Sequence, residues 1–270
     1  MAVHDVERAV CPSCGGRGWV VQLDGGAGTA RPCFCRQYEV VPRLVAAAGV
    51  PDRYRECRLA NFKRVHTQQV EARSKAERYV DEFLTTQGFT HSGLLFIGPP
   101  GVGKTHLAMG VLIEVIERYS VPGRFVELNT FFNQMQSTFG QASSESTQAV
   151  LAPLMDAPLL VLDELGTQQP TPWIRDVLYL VINTRYTRRL PTLFTTIYLL
   201  PAAAAAAAAN GQKQNLDRGR DPEPIWEEAK ALSSRLPAML VSRLYDMAQP
   251  VLLTDVADFR QQSAQKARRR

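Results

Sequence analysis

The sequence has no long apolar run, only five cysteines and only a small excess of positive charge. No apolar stretch in its 270 residues is long enough to span a membrane, and the first residues lack the apolar segment of a signal peptide. We therefore expect a cytoplasmic protein, in which disulfides rarely persist. The net charge of +5 permits a nucleic-acid partner without demonstrating one. The 45% hydrophobic share is that of a soluble, globular protein.

A glycine-rich segment carries the strongest signal in the chain. Residues 93–97 are typical of a buried strand, and residues 98–105 follow with the G-x-x-x-x-G-K-[ST] pattern of a P-loop. The glycines let the backbone turn tightly and direct its N–H groups at phosphate oxygens. Lys104 is expected to reach the β- and γ-phosphates of ATP, and the Thr105 hydroxyl to hold Mg²⁺. The predicted nucleotide contacts in this loop are Gly98, Pro99, Pro100, Gly101, Val102, Gly103, Lys104 and Thr105.

A buried strand that ends in two acids supplies the second motif. The apolar residues 159–162 lead directly into Asp163 and Glu164, which is the Walker B pattern. Asp163 is expected to belong to the Mg²⁺ shell, and Glu164 to orient the attacking water as a general base. Another apolar strand, residues 191–197, ends in hydroxyl side chains, and Thr196 is a further predicted nucleotide contact.

Four of the five cysteines fall in two close pairs near the start of the chain. Cys11 and Cys14 have the C-x-x-C spacing that grips one metal ion, and Cys33 and Cys35 form a C-x-C pair. The apolar residues 19–23 and the turn after them predict a hairpin between the pairs. A tetrahedral zinc site would supply the folding energy that so short a segment lacks. The alternative is four reduced, unrelated cysteines.

The rest of the sequence predicts how the chain is divided into domains. Residues 1–36 are predicted as the zinc module, 37–65 as a connector, 66–260 as the P-loop domain and 261–270 as a basic tail. Residues 201–224 contain an alanine run and are interpreted as a low-complexity insertion. Aromatic and basic residues within 51–63 are expected to pack on the rim of the P-loop domain, and Asn129 to cap the helix after strand 123–128.

Together these segments resemble the DnaC/IstB-like branch of the AAA+ ATPases, the helicase-loader group. The resemblance rests on residues 98–108, 160–166, 173–186 and 240–247, and covers roughly residues 50–260. It implies an α/β fold, a P-loop AAA+ domain whose central parallel sheet is flanked by helices, preceded by the small four-cysteine zinc module. It also implies a slow ATPase that helps place a replicative helicase on single-stranded DNA.

The resemblance carries two further residues and two departures. Arg243 matches the arginine that completes the ATP site of a neighbouring subunit, which implies a homo-oligomer. Phe139 falls in the helix by which loaders touch single-stranded DNA. Ile197 stands where the family usually has an asparagine that senses the γ-phosphate, and Met239 where a further arginine is usual. Both departures bear on the hydrolysis rate more than on nucleotide binding.

Two alternatives stay open at this stage. An IstB-type transposition helper would share the chemistry but serve another partner. A DNA-binding adaptor would use ATP for assembly and turn it over very little.

Overall fold

The computed structural model describes residues 13–14, 19–24, 27–33, 35–85, 88–139, 147–200, 231–254, 256 and 259. Nine strands lie within these ranges. They are β1 (Trp19–Asp24), β2 (Ala27–Pro32), β3 (Leu84–Thr85), β4 (Gly88–Phe89), β5 (Gly93–Ile97), β6 (Gly123–Glu127), β7 (Leu159–Asp163), β8 (Thr192–Thr196) and β9 (Ala248–Leu252). The last five form one parallel sheet in the order β6-β7-β8-β5-β9, and the first four form two antiparallel hairpins.

Seven α-helices are described within the same ranges, and short 3₁₀ turns cover Asp52–Tyr54 and Leu232–Ser234. The α-helices are α1 (Cys35–Ala47), α2 (Thr67–Asp81), α3 (Lys104–Tyr119), α4 (Leu128–Phe139), α5 (Thr147–Asp156), α6 (Pro172–Thr187) and α7 (Ala238–Met247). No described helix is long and apolar enough to cross a membrane.

Helices cover both faces of the parallel sheet, which explains why every residue of β5, β7 and β8 is buried. Alternate residues of β5 enter different cores. Leu94 and Phe96 pack with α2 and α3, whereas Leu95 and Ile97 pack with the helices of the opposite face. The predicted AAA+ architecture, a parallel sheet flanked by helices, is confirmed.

The segment predicted as a connector contributes to the first of these cores. Within it, α1 packs Val41, Leu44 and Val45 against buried residues, and Leu59 is itself fully buried. The N–H group of Phe125 on β6 donates to the carbonyl of Ala48 at 2.7 Å, so the residue that follows α1 is hydrogen-bonded to the outermost strand of the sheet. Part of residues 37–65 is therefore folded onto the P-loop domain, while the domain boundaries themselves stay a prediction.

Other expectations have different outcomes. The hairpin between the cysteine pairs is confirmed as β1–β2. The prediction that Asn129 caps the helix after β6 is wrong, because α4 already begins at Leu128 and the carboxylate of Glu127 accepts the N–H groups of Asn129 and Thr130. The glutamate lies one residue before the helix and reaches its first-turn N–H groups. Residues 201–224 and 261–270 lie outside the described residues.

Candidate nucleotide-binding site

The P-loop connects β5 to α3, and its glycines are held by close neighbours. Gly103 has a φ of +102°, and a Cβ atom at this position would lie 2.5 Å from the ring of Phe62. A Cβ atom at Gly98 would lie 2.7 Å from the carbonyl oxygen of Leu253, just after β9. Both positions therefore require glycine, and the loop is fixed by residues far away in the sequence.

The next residues of the loop divide between the core and the cavity beside it. The side chain of Val102 is buried in the core, so only its backbone is available to a phosphate. Lys104 is buried, and its Nζ atom donates to the carbonyl oxygens of Gly98 and Pro99 at 2.7 Å each. An ammonium group among backbone carbonyls and N–H groups at the start of α3 forms a suitable site for a phosphate chain.

Asp163 lies at the end of β7, beside the P-loop and β8. Its Oδ1 atom accepts hydrogen bonds from the Thr195 hydroxyl at 2.6 Å and from the Thr105 hydroxyl at 3.0 Å. Burial raises the pKa of Asp163 above its ordinary value, whereas the two hydroxyl donors oppose that shift. A carboxylate and a hydroxyl within hydrogen-bond distance are the hard oxygen ligands that Mg²⁺ prefers, so Thr105 and Asp163 fit the predicted metal site.

Glu164 follows Asp163 but occupies a different environment. Its backbone has a φ of +63°, which is uncommon for a residue with a side chain, and its side chain is exposed. The Glu164 N–H donates to the Thr195 hydroxyl at 2.9 Å, and its Oε2 atom accepts from Asn129 Nδ2 at 2.7 Å. A carboxylate that reaches solvent and is oriented by an amide can bind and orient a water molecule.

The two threonines at the end of β8 have different roles. The Thr196 hydroxyl donates to the Leu165 carbonyl at 2.8 Å and accepts from the Tyr198 N–H at 3.1 Å, so its hydrogen bonds are made within the protein. Thr195, which the sequence analysis did not select, contacts Asp163 and Glu164 directly. Its signal in the sequence was a hydroxyl at the end of a buried strand.

These groups surround a cavity of about 350 Å³. Its lining residues come from the P-loop, the ends of β7 and β8, and two aromatic positions outside the motifs: Tyr54, Pro100, Gly101, Gly103, Lys104, Thr105, His106, Glu164, Thr167, Thr195, Thr196, Ile197 and Phe259. Phe259 reaches the P-loop through its N–H group, which donates to the Gly101 carbonyl at 3.2 Å. Sequence analysis missed Phe259, and anticipated Tyr54 only as an aromatic residue on the rim.

His106 lines the cavity but is held mainly by protein groups. Its Nε2 atom lies 3.0 Å from the Arg58 carbonyl and 2.9 Å from Asn61 Oδ1, and its ring lies 5.4 Å from that of Phe62. Burial lowers the pKa of His106 below its ordinary value, so the imidazole is neutral at pH 7. These contacts suit a residue that ties α3 to the preceding loop.

Arg243 lies on α7 and does not line this cavity. Its guanidinium carbon lies 5.0 Å from the ring centroid of Tyr179 and 5.6 Å from that of Tyr186, both on α6. Its Nη1 atom is buried and has no hydrogen-bond partner among the described residues. The structure therefore holds Arg243 by aromatic faces, at a distance from the nucleotide site of its own chain.

The other predicted site residues are only partly described. Phe139 is the last residue of α4, and its side chain lies outside the described part of the structure. Cys14 and Cys33 are buried, whereas Cys11 lies outside the described residues. Among the residues that are described, no group of three or more His, Cys, Asp or Glu side chains is placed to hold a metal ion. The zinc site and the DNA contact remain predictions.

Comparison with known proteins shows similarity to helicase loaders. The replicative helicase loader DnaC of Escherichia coli (strain K12) is 29% identical over 153 residues, which are 56% of this chain and 59% of that protein. The chain thus matches little more than half the length of these curated relatives. The phage-like element PBSX protein XkdC of Bacillus subtilis (strain 168) is 24% identical over 202 residues, 72% of this chain and 74% of that protein.

A solved structure gives the same result. The crystal structure of the DnaC helicase loader superposes with a TM-score of 0.58 at 25% identity, covering 75% of this chain and 99% of that one. The family described as IstB-like ATP binding protein matches residues 51–199, more than half of the chain. The chain belongs to the DnaC/IstB-like AAA+ ATPases.

Proposed function

We propose that this protein is an ATPase of the DnaC type that helps load a replicative helicase onto single-stranded DNA. The observation that carries the proposal is the joint placement of the P-loop, Thr105 and Glu164 around one cavity, with Asp163 hydrogen-bonded to Thr105. The similarity to DnaC helicase loaders supports the helicase partner and the DNA.

In this proposal, some residues bind ATP and Mg²⁺, and another accepts a proton from the attacking water. Lys104 and the loop N–H groups would hold the phosphates of ATP, and Thr105 and Asp163 would hold Mg²⁺. When bound, Mg²⁺ neutralises charge on the phosphate oxygens. Glu164 would accept a proton from a water molecule whose oxygen attacks the γ-phosphorus while the bond to the β–γ bridging oxygen breaks. Asn129 keeps the Glu164 carboxylate turned in one direction through its 2.7 Å hydrogen bond.

We expect slow hydrolysis. Ile197 lines the cavity at the position where the family usually has an asparagine, and an isoleucine side chain has no group that can donate to a phosphate oxygen. The Thr196 hydroxyl, the neighbouring candidate, is already bonded to Leu165 and Tyr198. Transition-state charge therefore has fewer donors from within the same chain.

Arg243 supplies the missing charge from a second copy of the chain in this proposal. Its guanidinium makes no ion pair with any described residue, and it lies away from the cavity of its own chain. Mixing Arg243→Ala with Lys104→Ala should restore ATPase activity, because a mixed interface pairs an intact Lys104 with an intact Arg243. A rate that does not depend on protein concentration, with no rescue at any mixing ratio, contradicts the trans arrangement.

Two further contacts belong to the same proposal. Cys11, Cys14, Cys33 and Cys35 are proposed to hold one Zn²⁺ ion, with the buried Cys14 before β1 and the buried Cys33 directly after β2, where the first residue of β1 pairs with the last of β2. Elemental analysis of chelator-free protein should find about one zinc per chain, as a single site with four cysteine ligands requires. Phe139 is proposed to stack on single-stranded DNA.

The loading function is tested with the replicative helicase of the same source. The measurement is ATP-dependent unwinding of a forked DNA by the helicase, with and without this protein. We expect stimulation by the wild type and none by Lys104→Ala. In ATP-binding and ATPase assays, Glu164→Gln should keep its ATP affinity but hydrolyse ATP more slowly. If the protein instead stimulates a transposase encoded beside it and leaves the helicase unaffected, the IstB-type helper function is correct. Wild-type ATP affinity in Lys104→Ala would overturn the nucleotide site itself.

A further inference from the structure

We propose that a second cavity, at the outer edge of β6, binds one nucleotide unit of a DNA single strand through its phosphate and its base. This β6-edge cavity has a volume of about 340 Å³, and the residues that carry the argument are Arg53, Tyr54, Arg124, Glu127, Phe131 and Gln134. The DNA partner rests on the proposed function, but the site is separate from the P-loop and from Phe139.

The cavity has an unbalanced positive charge. Arg53 and Arg124 form no ion pair with any described residue, and Arg124 Nε is buried without a hydrogen-bond partner among those residues. The single carboxylate in the lining belongs to Glu127. That carboxylate accepts from the N–H groups of Asn129 and Thr130 and from the Thr130 hydroxyl, so it stabilises the start of α4. Two arginines stand against one glutamate in this lining, and neither is paired with it, so an excess of positive charge remains for an anion. Arginine suits phosphate oxygens in particular.

Aromatic rings lie beside these cations. The Arg53 guanidinium carbon lies 4.4 Å from the ring centroid of Tyr54, and Phe131 is a partly buried residue of the same lining. A cation, a phenol ring and a phenyl ring within one cavity provide the two interactions that nonspecific single-strand binding uses, namely phosphate attraction and base stacking.

The chemistry favours a strand over a free nucleoside triphosphate. The triphosphate site requires a glycine-rich loop and oxygen ligands for Mg²⁺, and both lie at the other cavity. The β6-edge cavity has only Glu127 as a carboxylate, and it is already bonded. Two guanidinium groups can bind the oxygens of the one singly charged phosphodiester that each nucleotide of a strand carries. A volume of about 340 Å³ is near the lower limit for small-ligand pockets, enough for one nucleotide of a longer strand.

The β6-edge cavity lies next to α4 and shares a lining residue with the nucleotide cavity. β6 is the outermost strand of the sheet, and α4, which follows it directly, contributes Phe131 and Gln134 and ends at Phe139. Tyr54 lines both the β6-edge cavity and the nucleotide cavity. A strand bound at the edge of β6 therefore contacts a residue that also borders the nucleotide.

The test measures binding of fluorescent oligo(dT) to the full chain with ATP and Mg²⁺ over a series of salt concentrations. Each lost phosphate contact should make the slope of log K against log salt less negative by about 0.7 for single strands. We expect this change for Arg53→Ala and for Arg124→Ala, and no change for Arg124→Lys. The matched control is Arg55→Ala, because Arg55 is exposed and paired with Asp52. Arg53 is itself exposed, so its variant should fold normally even if Arg124→Ala does not.

Stacking is tested separately with Phe131→Leu, which keeps an apolar side chain but removes the ring. Affinity for oligo(dT) should fall about 5- to 150-fold, the range that one stacked base contributes. Affinity for an abasic strand should stay at the wild-type value. Equal slopes and equal affinities in all variants, with wild-type binding intact, overturn the β6-edge site and leave the proposed function standing. Binding of thymidine monophosphate as tight as that of the strand, and equally dependent on Arg124, also overturns it. If the wild type binds no single strand at all, the DNA part of the proposed function fails as well.

Discussion

The hydroxyl of Thr195 should stabilise the folded protein by donating a hydrogen bond to the buried carboxylate of Asp163. The variant Thr195→Val keeps the shape of the side chain but removes the donor that lies 2.6 Å from Asp163 Oδ1. It also removes the acceptor of the Glu164 N–H. Hydrogen bonds to charged groups contribute about 1.5–3 kcal/mol, so we expect the free energy of unfolding at neutral pH to fall by about that amount.

The effect should depend on pH. Burial already raises the pKa of Asp163, and loss of the Thr195 donor should raise it further. A carboxyl whose pKa is higher in the folded state than in the unfolded state stabilises the fold below the unfolded pKa, and this contribution is lost as the pH rises through the folded pKa. The difference between Thr195→Val and wild type should therefore be largest at neutral pH and should decrease as the pH falls toward the ordinary carboxyl range. Urea unfolding of both proteins across this range measures it.

Thr196→Val is the matched control for this experiment. Thr196 is the next residue of β8 and is equally buried, but its hydroxyl bonds to neutral backbone groups of Leu165 and Tyr198. Its replacement should lower the free energy of unfolding by about 0.5–1.5 kcal/mol for each bond, equally at every pH. A Thr195→Val penalty that is also independent of pH would refute the reasoning, since the hydroxyl would then act only through the Glu164 backbone.

Three shorter predictions follow from other contacts. Asn129→Ala removes the hydrogen bond that orients Glu164, so it should lower ATP turnover and leave ATP affinity unchanged. The loss should be smaller than the roughly 10²–10⁴-fold that a general base itself contributes. Steady-state kinetics that show only weaker ATP binding would contradict this. Arg185→Met should lower the free energy of unfolding by more than about 3 kcal/mol, because four acceptors lose a charged donor and three of these bonds are buried. Arg188→Met, which removes an exposed ion pair, should change it by less than about 1 kcal/mol in the same thermal-unfolding assay. Gly103→Ala should weaken ATP binding and destabilise the fold far more than Gly88→Ala. Both glycines have a positive φ, but only a Cβ atom at residue 103 would lie against another side chain. If calorimetry gives equal losses of unfolding free energy for the two variants, backbone strain alone is responsible.

The sequence predicts the parts of the site that are local in the chain. The P-loop, the Asp163–Glu164 pair and the parallel AAA+ sheet depend on short patterns of glycine, acid and apolar residues. Contacts between residues that are far apart in the sequence cannot be predicted from such patterns. Thr195 meets Asp163 across two neighbouring strands, and Tyr54 reaches the cavity from well before the P-loop. No single-sequence pattern states which strands are adjacent, so the order β6-β7-β8-β5-β9 and its consequences come only from the structure.

Two consecutive acids can have different roles here because the backbone changes between them. Successive side chains of a strand point to opposite faces. Asp163 is the last residue of β7 and is buried among hydroxyl donors, whereas the positive φ of Glu164 ends the strand and leaves its carboxylate exposed beside Asn129. A single hydroxyl, that of Thr195, donates to the carboxylate of the first acid and accepts the N–H group of the second. The apolar-Asp-Glu pattern therefore depends on a residue of the adjacent strand β8, which fixes a candidate metal ligand and a candidate base relative to each other.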